Sequence, residues 1–342
     1  MIDLSSDTQT RPTSAMRQAM ACAEVGDEQK GLDPTVNELC ERVAALLGFE
    51  AAVYLPSGTM CNEIAFALHT RPGDEAYLHR TSHPIVAEGG GPAAVSGVMM
   101  HPFDGPRGMF TAGELAAALR DPADRYSPRS RLVSVENTTN LAGGHLWPLD
   151  ELRAVADVAR GAGLALHMDG ARLMNAVVAS GVAAAEFARG FDTAWLDFSK
   201  GLGAPIGACL AGSRAAIGDA WRLKQMLGGA MRQAGIVAAG ALYALDHHVD
   251  RLADDHALAR SLATGLAGVD GVSLDPDAVQ TNIVVFDVDD ARGLVARLEA
   301  AGVRMGALGP RTVRAVTHLD VDARGVERAV EAVGEAVSAR VA

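Results

Sequence analysis

Cysteine is scarce and scattered in this chain. Cys22, Cys40, Cys61 and Cys209 form no C-x-x-C pair and no cluster with histidine, which argues against a disulfide framework and against structural zinc. They read as reduced, mostly buried small hydrophobes of a cytoplasmic protein. Long apolar runs are missing too. The longest, Gly235 to Leu245, is too short to cross a bilayer, so no membrane partner is expected. The opening segment Met1-Ile2-Asp3-Leu4-Ser5-Ser6-Asp7 has no basic stretch ahead of an apolar one, and no secretory signal is expected. Positive charge is in deficit: the formal net charge is −12 and the sequence pI about 5.3, which argues against nucleic acid as the main partner. Small anionic ligands are not disfavoured, because local arginines decide their binding. Internal repeats, linkers and low-complexity segments are also absent. What remains is the composition of an ordinary soluble enzyme, 342 residues with 49% hydrophobic and 21% charged side chains, long enough for two domains.

Helix and strand signals alternate through the first two thirds, predicting a mostly parallel α/β sheet covered by helices on both faces. Asp33-Pro34 opens a helix by the N-cap-then-proline signature, Val36, Leu39, Val43, Leu46 and Leu47 keep helical spacing, and Gly48 closes it. Strands are expected at 51–55, 132–135, 164–169, 195–198 and 206–211, and helices at 58–68, 115–119, 149–162, 171–179 and 183–189. Thr111-Ala112-Gly113-Glu114 supplies a capping box ahead of 115–119. Beyond Gly228-Gly229 long helices follow, at 230–245 and 250–266. Strands at 282–288 and 313–316 then interleave with helices at 291–301 and 322–337. The expected organisation is a large domain over residues 1–247, N-terminal arm included, and a small α+β domain over 248–342.

Two apolar runs carry chemistry at their ends. Leu164-Ala165-Leu166-His167-Met168-Asp169 ends on an aspartate, and Trp195-Leu196-Asp197-Phe198-Ser199-Lys200 ends on a lysine ahead of glycines. In open α/β sheets ligands bind beyond the carboxyl ends of the strands. The 31 residues from Asp169 to Lys200 make about one βαβ unit, so both side chains are expected at the same rim. Alone, the aspartate reads as a turn former and the lysine as a solvated loop residue. As a pair in this order they can hold the two ends of one cofactor, pyridoxal 5'-phosphate. Lys200 would bind it through its amine, and Asp169 would keep the pyridine nitrogen protonated as an electron sink. Gly201-x-Gly203-x-x-x-Gly207 is not a dinucleotide loop, since Pro205 and a β-like run follow it in place of a helix. Pro56-Ser57-Gly58-Thr59 joins a strand to a helix, and its small residues let a phosphate approach backbone N–H groups at the positive end of the helix dipole.

Around these residues the chain resembles the low-specificity threonine aldolases, fold-type-I pyridoxal phosphate enzymes that cleave β-hydroxy-α-amino acids. The strings that carry the resemblance run nearly end to end. They include Asp33-Pro34-Thr35-Val36-Asn37, Pro56-Ser57-Gly58-Thr59-Met60, His167-x-Asp169-Gly170-Ala171-Arg172, Ser199-Lys200-Gly201-Leu202-Gly203, Gly228-Gly229-x-Met231-Arg232-Gln233 and Arg314-x-Val316-Thr317-His318. The resemblance implies the fold of that enzyme class, retro-aldol cleavage to glycine and an aldehyde, and a homodimer or homotetramer with shared active sites. It also implies roles. Lys200 would carry the cofactor, Asp169 would bind its ring nitrogen, and His83 would stack on it near the substrate hydroxyl. Gly58 and Thr59 would hold the phosphate, joined by Arg232 of a neighbouring subunit, and Ser6, Arg172 and Arg314 would grip the substrate carboxylate. β-Elimination or racemisation on the same Lys–Asp pair, or a non-catalytic binding role, are the alternatives.

The departures from that pattern cluster at the expected substrate pocket. Lys30-Gly31 stands where the family usually has Tyr-Gly, Thr138-Thr139-Asn140 where it has Thr-His-Asn, and Ala87 where an aromatic is common. By ungapped counting Tyr126 occupies the place of a histidine near the substrate hydroxyl. Retained cofactor residues with altered pocket residues imply a changed substrate preference or a changed efficiency, not loss of the cofactor. His83 is then the expected base, and Tyr126 the residue that holds the hydroxyl or a water.

Overall fold

The computed structural model describes residues 1–338. The chain opens on a two-residue strand, β1 (Ile2–Asp3), and then builds a seven-stranded sheet. Its strands are β2 (Ala51–Leu55), β3 (Asp74–His79), β4 (Met99–Phe103), β5 (Arg129–Glu136), β6 (Ala165–Asp169), β7 (Thr193–Asp197) and β8 (Ala208–Gly212), in spatial order β2-β8-β7-β6-β5-β3-β4. β8 runs antiparallel to both its neighbours and every other pairing is parallel, so the sheet is mostly parallel, as expected. β7 and β8 are buried along their whole length, which is why they read as uninterrupted apolar runs.

The helices start and stop where their caps dictate. Asp33 Oδ1 accepts from Val36 N (3.0 Å) to open the helix Pro34–Leu47, and Gly48, at φ 75°, closes it. Ser57 Oγ accepts from Met60 N (3.2 Å) to open Gly58–His69, and the Thr111–Glu114 capping box opens Ala112–Ala118. β3 lacks any such signal, because Asp74, Glu75 and His79 interrupt its apolar pattern. They are buried all the same, Asp74 against Arg129 and Glu75 against Arg120.

The C-terminal part forms β9 (Ile283–Asp287), β10 (Val303–Arg304), β11 (Gly306–Ala307) and β12 (Thr312–Val316), with an antiparallel sheet β11-β12-β9 under the helices Leu252–Ala267, Ala291–Ala300 and Ala323–Ser338. Its core is separate from that of the large sheet, and it includes Leu4. β1 pairs in parallel with β10, and Val316 N donates to Leu4 O (2.8 Å). Residues 2–4 therefore pack with the C-terminal domain, not with the rest of 1–247 as expected. The segment that follows carries Ser6 and Asp7 across to the C-terminal rim of the large sheet. Among the described residues no helix is long and apolar enough to cross a membrane.

Candidate active site

Parallel strands bring their last residues to one edge, and here three neighbouring strands each end on an acid: Glu136 on β5, Asp169 on β6 and Asp197 on β7. A cavity of about 520 Å³ opens at this rim. Lys200, Asp169, His83, Gly58, Thr59, Ser6, Arg172 and Arg314 all line it, whereas Arg232 and Tyr126 do not. The chain has three lysines, Lys30, Lys200 and Lys224. Lys224 is buried on Glu28 (2.9 Å) and Lys30 is exposed, so Lys200 is the single amine of the cavity. Its Nζ is paired with Asp197 and lies 5.6 Å from the centre of the Trp195 ring.

Trp195 fixes the strand-to-helix geometry. A Cβ on Gly58 would come within 2.2 Å of its ring and one on Gly170 within 1.9 Å of its carbonyl oxygen, so both contacts require glycine. The Trp195 Nε1 donates to Asn62 Oδ1 (2.8 Å), pinning the helix Gly58–His69 to β7. The N-terminus of that 12-residue helix, with Gly58 and Thr59, thereby faces the cavity with the positive end of the helix dipole.

Asn62 is the hub beneath the site. Its amide nitrogen donates to Asp169 Oδ2 (2.8 Å) and to Glu88 Oε1 (2.7 Å), and its oxygen also accepts from His167 Nε2 (3.1 Å). Burial holds the His167 imidazole down to about 3, so the ring is neutral and its other nitrogen accepts from Thr193 Oγ1 (2.8 Å). The backbone N–H of Ala171 donates to Asp169 Oδ1 (3.0 Å). His83 Nδ1 lies 2.7 Å from Glu88 Oε1 and donates to it, leaving Nε2 as the free ring nitrogen. That hydrogen bond to Glu88 raises the basicity of the ring, against burial that would lower it. Burial, reinforced by Asp169, pushes the Glu136 carboxyl above the usual carboxylate range.

The arginines are arranged less symmetrically than two guanidinium forks on one carboxylate would require. Arg172 Nε and Nη2 already grip Asp7, at 2.8 and 2.6 Å, with both side chains buried. Burial alone would raise the Asp7 carboxyl, but the Arg172 guanidinium outweighs it and holds it at about 2. Arg314 donates through Nη1 to Asn140 Oδ1 (2.7 Å) and through Nη2 to Ser5 O (3.1 Å), and its buried Nε has no partner. Ser6 Oγ accepts from Thr8 N (3.2 Å).

Two positions, Tyr126 and Thr139, fall elsewhere than the sequence implied. Tyr126 is 94% exposed and lies in the loop that enters β5 from its N-terminal end, the end of the strand away from the rim. Within one chain it holds neither a substrate hydroxyl nor a water in the cavity. Thr139 is buried with its hydroxyl accepting from His145 N (3.2 Å), and the cavity receives Asn140 and Leu141 in its place. Lys30 and Arg232 share Asp27, at 4.0 and 3.1 Å, and so form one exposed patch outside their own cavity. Ala87 does line the cavity, beside Val86. Asp7, Asn62, Glu136, Trp195 and Asp197 received no role from the sequence. A signal existed for two of them: Asn62 is a polar interruption between Cys61 and Ile64 on a buried helix face, and Asp197 stands three residues before Lys200.

The family model of the β-eliminating lyases matches residues 3–289. The chain is 38% identical over 327 residues to low-specificity L-threonine aldolase 1 of Arabidopsis thaliana, covering 93% of this chain and 91% of that one. It is 40% identical over 326 residues to the low specificity L-threonine aldolase of Escherichia coli K12, covering 94% and 95%. Among solved structures, the threonine aldolase of Leishmania major superposes with a TM-score of 0.83 over 98% of this chain and 99% of that one, at 21% identity. A serine palmitoyltransferase of Sphingomonas wittichii superposes at 0.77 over 98% and 87%, at 19% identity. At such identities these two speak for the shared fold alone.

Proposed function

Because the chain belongs to the β-eliminating lyase family and, within it, to the low-specificity threonine aldolases, we propose that it binds pyridoxal 5'-phosphate and cleaves β-hydroxy-α-amino acids to glycine and an aldehyde. Threonine and allo-threonine are the reference substrates. The observation that carries the reading is the single amine of the cavity, Lys200, sharing its rim with the buried carboxylate Asp169. The donor set fits the cofactor: one lysine, one buried carboxylate, one imidazole and one helix N-terminus around a cavity of about 520 Å³. Lys200 would hold it, Asp169 would face its ring nitrogen, and the Gly58–Thr59 end of the helix would hold its phosphate. When bound, it supplies the electron sink for the pair left on Cα.

The residues of the chain do the rest. Arg314 holds the substrate carboxylate, with Ser6 and the Asp7-anchored Arg172 beside it, and holding the carboxylate fixes which Cα bond breaks. His83 Nε2 takes the proton of the β-hydroxyl, its Nδ1–H being committed to Glu88. The Cα–Cβ bond then cleaves, the aldehyde leaves, and Cα gains a proton before glycine is released. Small residues at Val86 and Ala87 favour a β-substituent larger than methyl. The active assembly is a homo-oligomer, dimer or tetramer, in which the Lys30–Arg232 patch of one subunit completes the cavity of another. Four unpaired cysteines suit a cytoplasmic location.

The test is a panel of L-threonine, L-allo-threonine, phenylserine and β-hydroxyaspartate, with glycine and aldehyde measured together. A keto acid with ammonia in their place would move the reaction to β-elimination. Borohydride reduction that leaves no adduct on Lys200 would remove the cofactor assignment.

A further inference from the structure

A second carboxyl that this chemistry does not use lies behind His83. Glu63 follows Asn62 on the helix Gly58–His69, is 6% exposed, and has no hydrogen-bond partner at either oxygen. It is seated against Glu88 and against the backbone of Gly91, where a Cβ would come within 1.8 Å of Glu63 Oε1. Glu88 gives its Oε1 to Asn62 and His83, both at 2.7 Å, while its Oε2 is buried without a partner. Three buried acceptor oxygens with no donor among them are costly. Two carboxylates side by side in such a place do not both ionise until the pH is well above the usual carboxylate range. One proton removes the charge conflict and leaves one of the three oxygens without a donor. On Glu63, which has no donor of its own, it makes a hydroxyl that donates to Glu88 Oε2. Glu88 then stays anionic against the two donors it already has.

We propose that Glu63 and Glu88 share one proton as an acid pair behind His83, and that Glu63 is a positioning residue which, through Glu88, sets the proton affinity of the His83 ring. While the proton stays, the pair carries a single negative charge. When it leaves, a second charge appears behind the imidazole, and His83 holds its own proton more tightly. The charged groups around this unit are few. His83 is faced by Glu88, by Asp169 at the end of β6, by Glu136 at the end of β5 and by Lys200 after β7; Glu88 by His83 and Asp169; and Glu63 by Glu88. Burial, together with the neighbouring Glu88, pushes Glu63 up to about 7, so the pair changes charge in the range where a histidine base operates.

The consequence for catalysis rests on the reading of His83 as the base, but the test reads the ring itself. Histidine labelled in the ring is followed by NMR across pH in the cofactor-loaded enzyme, with the His83 signal assigned by its loss in His83→Asn. In the wild type the His83 signal should titrate in two overlapping steps. Glu63→Gln keeps an N–H donor for Glu88 Oε2 but cannot ionise, so the step that Glu63 contributes should vanish from the His83 titration and its midpoint fall by about half to one unit. The acid limb of kcat/KM should move with it. A single-step His83 titration in the wild type overturns the proposal with no variant needed, and so does a Glu63→Gln titration identical to that of the wild type. Absence of aldol cleavage would instead sink the functional reading and leave the acid pair to be judged on the titration.

Discussion

Asp7 and Arg172 meet through two hydrogen bonds with almost no exposed surface, so each makes the other's charge tolerable. Asp7→Asn leaves a buried guanidinium unpaired and should cost about 3–5 kcal/mol in chemical unfolding. The pH dependence follows from the depressed carboxyl. Asp7 holds at about 2 in the folded chain, below its unfolded value of about 3.9, so its contribution is complete above about pH 4 and fades as pH falls toward 2. The gap between variant and wild type should narrow by about 2 kcal/mol over that window; a gap independent of pH would mean that the loss is one of packing. Arg314 makes a different kind of demand. Its two terminal nitrogens are held by Asn140 and the Ser5 carbonyl, which sets the plane of the fork at the cavity wall. Arg314→Lys keeps the charge and loses the plane. Turnover should fall about 100-fold while cofactor occupancy, read by absorbance, stays as it was. Unchanged turnover would assign the substrate carboxylate to another residue.

Between elements, the contact that orders the site is the helix Gly58–His69 against β7 through Trp195. Gly58→Ala would push a methyl group to within 2.2 Å of that ring, so the helix N-terminus has to move away from the rim. Lower cofactor affinity with a shifted Trp195 fluorescence is the expected result, and normal affinity would show that the phosphate end does not depend on this contact. Such contacts mark the division between what the sequence reveals and what it hides. Helices with side-chain caps, such as Pro34–Leu47, and strands with unbroken apolar runs, such as Ala51–Leu55, are legible because their signals are local. β3 is not, because its acids are neutralised by Arg120 and Arg129 from other segments. Lys200 and Asp169 are legible for the same local reason, being polar residues that end apolar runs. The Asp7–Arg172 pair, 165 residues apart, and the Glu63–Glu88 contact exist only once the fold has closed. Tyr126 shows the opposite case, lying outside the cavity of its own chain. Counting along the chain put it at the pocket, but the sheet decides which end of β5 its loop adjoins.

For the whole molecule, the telling residue is Arg232. Its side chain is 63% exposed, it is absent from the wall of its own cavity, and it sits with Lys30 on Asp27. An ion pair that exposed contributes little, so Arg232 can leave Asp27 for a phosphate at small cost. If that phosphate belongs to a second subunit, each cavity takes Lys200 from one chain and Arg232 from the other, and defects in the two residues should complement. Lys200→Ala and Arg232→Ala, each inactive at limiting cofactor, are co-expressed or refolded together. Random pairing makes about half the dimers hybrids, and each hybrid has one cavity with both residues intact. About a quarter of wild-type activity should therefore return on mixing, together with one equivalent of reducible adduct per hybrid. A cavity that used Arg232 of its own chain would carry one lesion in every subunit of every hybrid, and mixing would restore nothing. Sedimentation as a monomer with full cofactor occupancy would lead to the same rejection by a second route.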